Sequence, residues 1–195
     1  MKKLYIRVAT LFSGYDSQLM ALIAAIKKSK SRFSSTLACW CDIERAVQSI
    51  HNVVFPEYAD KCHPDVCKID WNEIEDFDLL IYSSPCQSVS NRGKQEGMEK
   101  DSGTESSLVW EVERAIATKK PKWLIMENVD NMASNKFNES FMEWNRSLAS
   151  YGYVSHFKVL SSADFGVPQN RKRVFVVSTR IDPTDSTPTF SWPKK

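Results

Sequence analysis

Short apolar segments alternate with amphipathic segments along most of the chain, and this alternation restricts the fold more than any other feature. Apolar runs over residues 5–11 and 77–82 have the length of strands, whereas residues 16–28 repeat apolar side chains at helical spacing. Consecutive parallel strands need a crossover connection, which is usually a helix. The sequence therefore predicts an α/β fold with a doubly wound, mostly parallel sheet.

The same spacing arguments predict the remaining elements. Further strands are expected over residues 36–41, 122–126, 153–160 and 174–178, and further helices over residues 43–52, 108–118 and 138–151. Gly152 follows the last helix, where a left-handed C-cap is common. We expect one domain over residues 1–180, followed by a proline-containing tail or linker start over residues 181–195.

Reactive side chains follow or precede three of these strands. Cys86 lies in a Ser-Pro-Cys-Gln sequence directly after the apolar run that ends at residue 82, and Glu127 ends a second apolar strand. Arg171 and Arg173 precede a third strand. Open α/β folds bind ligands at the carboxyl edge of the sheet. A nucleophile, a carboxylate and two guanidinium groups at strand ends therefore predict a reaction centre.

Composition excludes some classes of protein and decides little else. A chain of 195 residues with 42% hydrophobic residues can form one globular domain. Its net charge of +2 neither indicates nor opposes a nucleic-acid partner. The sequence has no apolar stretch near the ~20 residues of a membrane span and no signal peptide at its start. We expect a cytoplasmic protein without a membrane partner.

The cysteines favour free thiols over a metal site. Five cysteines are an odd number, and an intracellular protein keeps its thiols reduced. Cys39, Cys41, Cys62, His63 and Cys67 do not have the paired spacing that is typical of zinc sites. We therefore predict no metal.

Four motifs, in this order and at this spacing, resemble the catalytic domain of DNA cytosine-5 methyltransferases. They are Leu-Phe-Ser-Gly at residues 11–14, Ser-Pro-Cys-Gln-Ser-Val-Ser at 84–90, Met-Glu-Asn-Val at 126–129 and Gly-Val-Pro-Gln-Asn-Arg-Lys-Arg at 166–173. The resemblance extends from residue 11 to residue 180. It implies a Rossmann-like fold that depends on S-adenosyl-L-methionine.

The resemblance implies a catalytic role for four side chains. The thiolate of Cys86 would add to carbon 6 of cytosine, because carbon 5 is too electron-poor to attack a methyl donor unaided. Glu127 would act at ring nitrogen 3, and Arg173, with Arg171 beside it, at the carbonyl oxygen. Taken alone, each residue has an ordinary alternative: a core cysteine, a capping acid and a solvated basic run.

The resemblance also implies a set of contacts to S-adenosyl-L-methionine. These residues are Phe12, Ser13, Gly14, Asp42, Ile43, Asp65, Val66, Pro85 and Leu108. The sequence departs from the family at Asp16, where a glycine is usual, and at Thr10, where an acid is frequent. The Asp16 carboxylate could cap the following helix or hinder the amino-acid end of the cofactor.

The implied substrate is double-stranded DNA with the target cytosine flipped out of the helix. Residues 88–107 resemble the loop that closes over the flipped base, although an ordinary surface loop has similar composition. The resemblance assigns DNA contacts to Gln87, Ser90, Arg92 and Lys94.

The family's target-recognition domain has no counterpart in these residues. We expect one part of a split enzyme, completed by a second polypeptide, from a bacterium or a phage in a bacterial host. A restriction-modification role fits this expectation. The alternatives are a truncated or inactive module that binds DNA or cofactor, and an RNA cytosine-5 methyltransferase.

Overall fold

The structure is a computed structural model, and its chain divides into two compact units. The described residues are 4–28, 33–86, 100, 102–182 and 189–194. Unit 1 consists of Met1–Ser83 and Arg114–Pro121, and unit 2 consists of Ser84–Glu113 and Lys122–Lys195. The predicted division at residue 180 is a different one and stays a prediction.

Unit 1 contains four parallel strands in the order β3-β2-β1-β4. They are β1 (Leu4–Leu11), β2 (Phe33–Cys41), β3 (Cys62–His63) and β4 (Leu79–Tyr82). Leu11 is paired with Cys41 and with Tyr82, and Cys41 is paired with His63. The carboxyl ends of all four strands therefore lie side by side, so the polar residues that follow β1, β2 and β3 meet at one edge.

The strands of unit 1 carry fully buried side chains. Val8, Leu37 and Leu80 have no exposed surface, and Trp40 is equally buried on β2. Burial of each such side chain contributes ~1.5–3 kcal/mol to folding. Helices α1 (Ser17–Lys28) and α2 (Arg45–Val54) follow β1 and β2 in the chain.

Unit 2 contains an antiparallel meander in the order β5-β7-β6. Its strands are β5 (Trp123–Val129), β6 (Tyr153–Ser161) and β7 (Lys172–Arg180). Helix α4 (Asn138–Ser150) precedes β6 in this unit, whereas α3 (Glu111–Lys119) passes from unit 2 to unit 1 at Arg114. On α4, Phe141, Trp144 and Leu148 are buried at helical spacing. Gly152 then adopts a φ of 85°, which confirms the predicted left-handed cap.

The α/β class is confirmed, and several element boundaries differ from the prediction. The helix expected over residues 108–118 begins with a 3-10 helix, Glu105–Trp110, and becomes α-helical at Glu111. That 3-10 helix also occupies the end of the predicted 88–107 loop. Strand β7 begins at Lys172, two residues early, because its ladder with β6 reaches that residue. Residues 88–99 and 101 of the predicted loop lie outside the described residues.

Within the described ranges, no helix is long and apolar enough to cross a membrane. The same residues hold no group of three or more side chains that could bind a metal ion. Cys39 and Cys41 are buried in β2 as free thiols.

Candidate active site

The register of two antiparallel strands places Glu127 and Arg173 on one face of unit 2. Glu127 on β5 lies opposite Phe175 on β7, and Arg173 is two residues from Phe175. Residues two apart in a strand point to the same face, and diagonal neighbours across a ladder are within reach of long side chains. Arg173 is therefore the diagonal partner of Glu127.

Glu127 and Arg173 form an ion pair. The Nε atom of Arg173 lies 3.0 Å from Oε1 of Glu127, and their side chains are 21% and 29% exposed, respectively. Partly exposed pairs contribute little to stability, ~1 kcal/mol or less. The main consequence is geometric, because the guanidinium fixes the direction of the carboxyl group.

A short loop places Arg171 beside this pair. The loop leaves β6 through a 3-10 helix, Ser162–Phe165, and returns at β7. Ser162 closes its base, since its backbone N–H donates to the Arg171 carbonyl at 3.0 Å and its hydroxyl accepts from the Arg171 N–H at 3.3 Å. The sequence argument did not identify Ser162, and no local pattern marks it.

Glu127, Arg171 and Arg173 line one cavity of about 400 Å³. Apolar groups from the neighbouring strand, loop and C-terminal segment complete the wall: Leu160, Phe165, Phe175 and Pro193. Leu160 is the β6 partner of Arg173 in the ladder. The lining of this cavity thus combines charged and apolar groups.

Cys86 is connected to this site through Asn128. Asn128 is 3% exposed, and its side-chain amide donates to the Ser84 carbonyl at 3.0 Å and to the Ser84 hydroxyl at 3.2 Å. The Oδ1 atom of the same side chain accepts from the Val129 N–H at 2.8 Å. Asn128 thus ties the segment that carries Cys86 to the strand end that carries Glu127. Cys86 itself is half-buried and is not among the described residues that line the cavity.

In unit 1, the turn over residues 12–16 (the 12–16 turn) connects β1 to α1. The backbone N–H and the hydroxyl of Ser13 donate to the Cys41 carbonyl at 3.0 and 3.2 Å, respectively. The Gly14 N–H donates to the Asp42 carboxylate at 2.8 Å. The turn therefore lies against the end of β2, as expected from the aligned strand ends. A Cβ atom on Gly14 would have open space around it.

Asp16 caps the helix that follows the turn. Its Oδ1 atom accepts from the Leu19 N–H at 3.1 Å, and the side chain is fully buried. Of the two alternatives raised by the sequence, the capping role is the one that the structure shows.

A second cavity, of about 320 Å³, lies at the carboxyl ends of β2 and β3. It is lined by Ile43, His63, Pro64, Asp65, Lys68 and Ile69. The Cys67 N–H donates to Asp65 and holds the pKa of that carboxyl below its usual value, with Lys68 acting in the same direction. Burial lowers the pKa of His63.

Val66 does not line this second cavity. Val66 and Ile69 are both buried, at 5% and 3% exposed respectively, and it is Ile69 that lines the cavity. His63, Pro64, Lys68 and Ile69 were not predicted. The first two flank the predicted Asp65 in sequence, which was a usable signal.

The other predicted contacts fall elsewhere. Pro85 and Leu108 belong to unit 2, where both are half-buried. The DNA contacts predicted at Gln87, Ser90, Arg92 and Lys94 lie outside the described residues.

Comparison with known proteins gives a consistent result. The family model for C-5 cytosine-specific DNA methylase matches residues 6–195. The chain is 39% identical over 148 residues to the type II methyltransferase M2.ScrFI of Lactococcus lactis subsp. cremoris, covering 76% of this chain and 40% of that protein. It is 47% identical over 110 residues to the orphan methyltransferase M.SssI of Spiroplasma monobiae, covering 54% of this chain and 28% of that protein.

Solved structures agree on the fold. The methyltransferase EhMeth of Entamoeba histolytica matches with a TM-score of 0.71 at 21% identity, over 98% of this chain and 58% of that one. The chain thus spans well under two thirds of the length of the relatives that it matches.

Proposed function

This chain belongs to the family of C-5 cytosine-specific DNA methylases, and we propose that it carries the catalytic half of a DNA cytosine-5 methyltransferase. The reaction would place a methyl group from S-adenosyl-L-methionine on carbon 5 of cytosine in double-stranded DNA. The observation that carries this proposal is the Glu127–Arg173 pair at 3.0 Å, in a cavity that Arg171 also lines.

Cys86 is the proposed nucleophile. Addition of its thiolate to carbon 6 forms a carbon–sulfur bond and moves the electrons of the 5,6 double bond onto carbon 5 and nitrogen 3. Carbon 5 thereby gains the nucleophilic character that the free base lacks. After methylation, a base removes the proton from carbon 5, and the thiolate leaves as the double bond reforms. Water can serve as that base, and we assign no residue to it.

Glu127 and Arg173 are the groups proposed to stabilise the adduct. Negative charge that develops on nitrogen 3 would be neutralised by a proton donated from the carboxyl group of Glu127, and charge on the carbonyl oxygen would be stabilised by the guanidinium of Arg173. The ion pair between them keeps both groups oriented before the base arrives, so little reorganisation is needed during the reaction.

The residues at the strand ends of unit 1 suit S-adenosyl-L-methionine. Ile43 and Ile69 offer apolar walls for a purine ring, and Asp42 and Asp65 offer acceptors for hydroxyl and amino groups. The open space around Gly14 lets a ligand approach the backbone of the turn. When bound, this cofactor supplies an electrophilic methyl group. Pro85, Leu108 and Val66 stay proposed contacts.

Double-stranded DNA is the proposed partner, with the target cytosine flipped from the helix into the unit 2 cavity. Gln87, Ser90, Arg92 and Lys94 are proposed to contact the DNA around that base. We also propose that a second polypeptide supplies target recognition. We place the enzyme in the bacterial cytoplasm, in a restriction-modification or phage setting.

Transfer of a labelled methyl group tests the proposal. The chain, with and without the product of the next reading frame, is incubated with tritiated S-adenosyl-L-methionine and either duplex DNA or transfer RNA. We expect label in DNA that disappears with Cys86→Ala. Cys67→Ser is the matched control, since Cys67 is exposed and lines neither cavity, and the serine hydroxyl keeps a side-chain donor for Asp65; it should retain activity.

Two results would contradict the assignment. Label that survives Cys86→Ala would refute the covalent mechanism, and label in RNA alone would show that RNA rather than DNA is the substrate.

Glu127→Gln should lower the rate of methyl transfer roughly 10²–10⁴-fold, the usual contribution of a positioned acid. Glu143→Gln, an exposed change on α4, should leave the rate unchanged.

A further inference from the structure

We propose that a buried network of Asp16, Thr10 and His51 holds the 12–16 turn in its cofactor-binding shape, which makes Asp16 a positioning residue. This inference rests on the proposed function of the turn. It assigns a role to two residues, Asp16 and Thr10, at which the chain departs from its family.

The backbone of the turn needs something to hold it. Phe12, Gly14 and Asp16 have φ angles of 53°, 59° and 65°, respectively. Phe12 and Asp16 are not glycines, and an L side chain in this left-handed region crowds its own backbone. Such conformations persist only where the surrounding structure fixes them. Contacts from outside the turn must therefore supply the restraint.

The Asp16 carboxylate connects the turn to residues outside it. Its Oδ2 atom accepts from the Thr10 hydroxyl at 2.8 Å, and its Oδ1 atom accepts from the Leu19 N–H at 3.1 Å. The Asp16 N–H in turn donates to the Ser13 carbonyl at 2.9 Å. These bonds connect the last turn residue to β1, to the first turn of α1 and to the turn itself.

His51 completes the network from α2. Its Nε2 atom lies 3.4 Å from Oδ2 of Asp16, and its ring stacks on Trp40 with centroids 3.6 Å apart. Among the described residues, the buried Nδ1 atom has no hydrogen-bond partner, so the proton belongs on Nε2, facing the carboxylate. Stacking fixes the imidazole plane and thereby the direction of that N–H.

The buried side chains of the network do not block the surface of the turn that a cofactor would approach. The side chains of Thr10, Asp16 and His51 are all fully buried, so none of them occupies the outer surface of the turn. That surface stays open above Gly14. An aspartate at this position can therefore shape the turn without blocking a ligand.

Affinity for S-adenosyl-L-methionine, measured by isothermal titration calorimetry on the full chain, tests the role of the network. We expect Thr10→Val, which keeps the size of the side chain but removes the hydroxyl, to weaken binding roughly tenfold, or ~1.4 kcal/mol. Thr10→Ser keeps the hydroxyl and should bind within about twofold of the wild type. Asp16→Gly relieves the φ constraint, and we expect it to bind at least as weakly as Thr10→Val.

A control variant with a shortened core side chain tests whether weaker cofactor binding comes merely from a less stable protein. Ile116→Val shortens a buried side chain in unit 1 that is outside the network, and it should lower stability without changing affinity. Asp16→Gly that binds as tightly as the wild type, or more tightly, would overturn the proposal and support obstruction. Equal affinities of Thr10→Val and Thr10→Ser would overturn it as well.

Amide hydrogen exchange of the free protein tests whether the network restrains the 12–16 turn, even if the wild type does not bind the cofactor. The amides of Gly14 and Leu19 should exchange faster in Asp16→Gly and Thr10→Val than in Thr10→Ser and Ile116→Val. Absence of wild-type binding would refute the cofactor proposal alone. Unchanged exchange in the network variants would refute the network's hold on the turn.

Discussion

The link between Asn128 and Ser84 gives the most specific prediction about the active site. Asn128→Ala removes the donor that satisfies the Ser84 carbonyl, and Ser84 is only 4% exposed. A buried carbonyl left without a partner costs ~1–3 kcal/mol. In a domain of this size each kcal/mol lowers Tm by ~2–4 °C. We therefore expect Asn128→Ala to lower Tm by roughly 2–12 °C.

Thermal and urea unfolding, followed by circular dichroism, measure this loss. The matched control is Asn145→Ala on α4, where the lost amide donates one hydrogen bond to the Phe141 carbonyl within the same helix. That change should cost less, ~0.5–1.5 kcal/mol. Methyl transfer should fall in Asn128→Ala and stay near the wild-type rate in Asn145→Ala. Asn128, unlike Asn145, bonds to the segment that carries Cys86.

A double-mutant cycle gives the result that would refute this reasoning. Ser84→Ala removes only the weaker partner, the hydroxyl at 3.2 Å, and should destabilise less than Asn128→Ala. The cost of Ser84→Ala should shrink when Asn128 is already alanine, because the two side chains then share no bond. Fully additive costs, or an Asn128→Ala protein as stable as the wild type, would show that the bond does not hold the segment.

Three further predictions concern other parts of the chain. Burial acts to raise the pKa of Glu113, but hydrogen bonds from Lys100 and Ser147 outweigh it and hold the pKa below its usual value. The stabilisation from Glu113 is therefore present above its unfolded pKa and is lost as pH falls through the folded pKa. The difference in Tm between wild type and Glu113→Gln should shrink between about pH 6 and pH 3, and a constant difference would contradict this. Burial raises the pKa of Cys39 to about 12, so thiol reagents at about pH 8 should label it only after unfolding, as peptide mass spectrometry can check. Gly152→Ala should cost ~1–2 kcal/mol in urea unfolding because φ is 85° there, and an unchanged midpoint would show that the cap relaxes.

Local sequence patterns predicted the elements whose signals are local. The helix over residues 138–151 was correct to within one residue, because apolar spacing and Gly152 both mark it. The predicted alternation of strands and helices also placed the residues after β1 and β2 at one edge, since parallel strands align their carboxyl ends. The two-residue strand β3 was not predicted, because it is too short to show a pattern.

Features that depend on partners distant in sequence were not predictable. The pairing of Arg173 with Glu127 depends on the β5–β7 register, which no local pattern specifies. The role of Asn128 depends on a carbonyl 44 residues earlier in the chain. The sequence allowed two roles for Asp16, helix capping or hindrance of the cofactor, and its hydrogen bonds to Thr10 and Leu19 support the capping role.

The measurement that tests the central claim most directly is the 5-methylcytosine content of cellular DNA. Mass spectrometry is applied to DNA from cells that lack native cytosine methylation and express this chain, alone or together with the next reading frame. The account predicts 5-methylcytosine in at least the co-expressing cells, and its loss with Cys86→Ala but not with Cys67→Ser. Absence of the modified base from both kinds of cell, or its persistence with Cys86→Ala, would contradict the account.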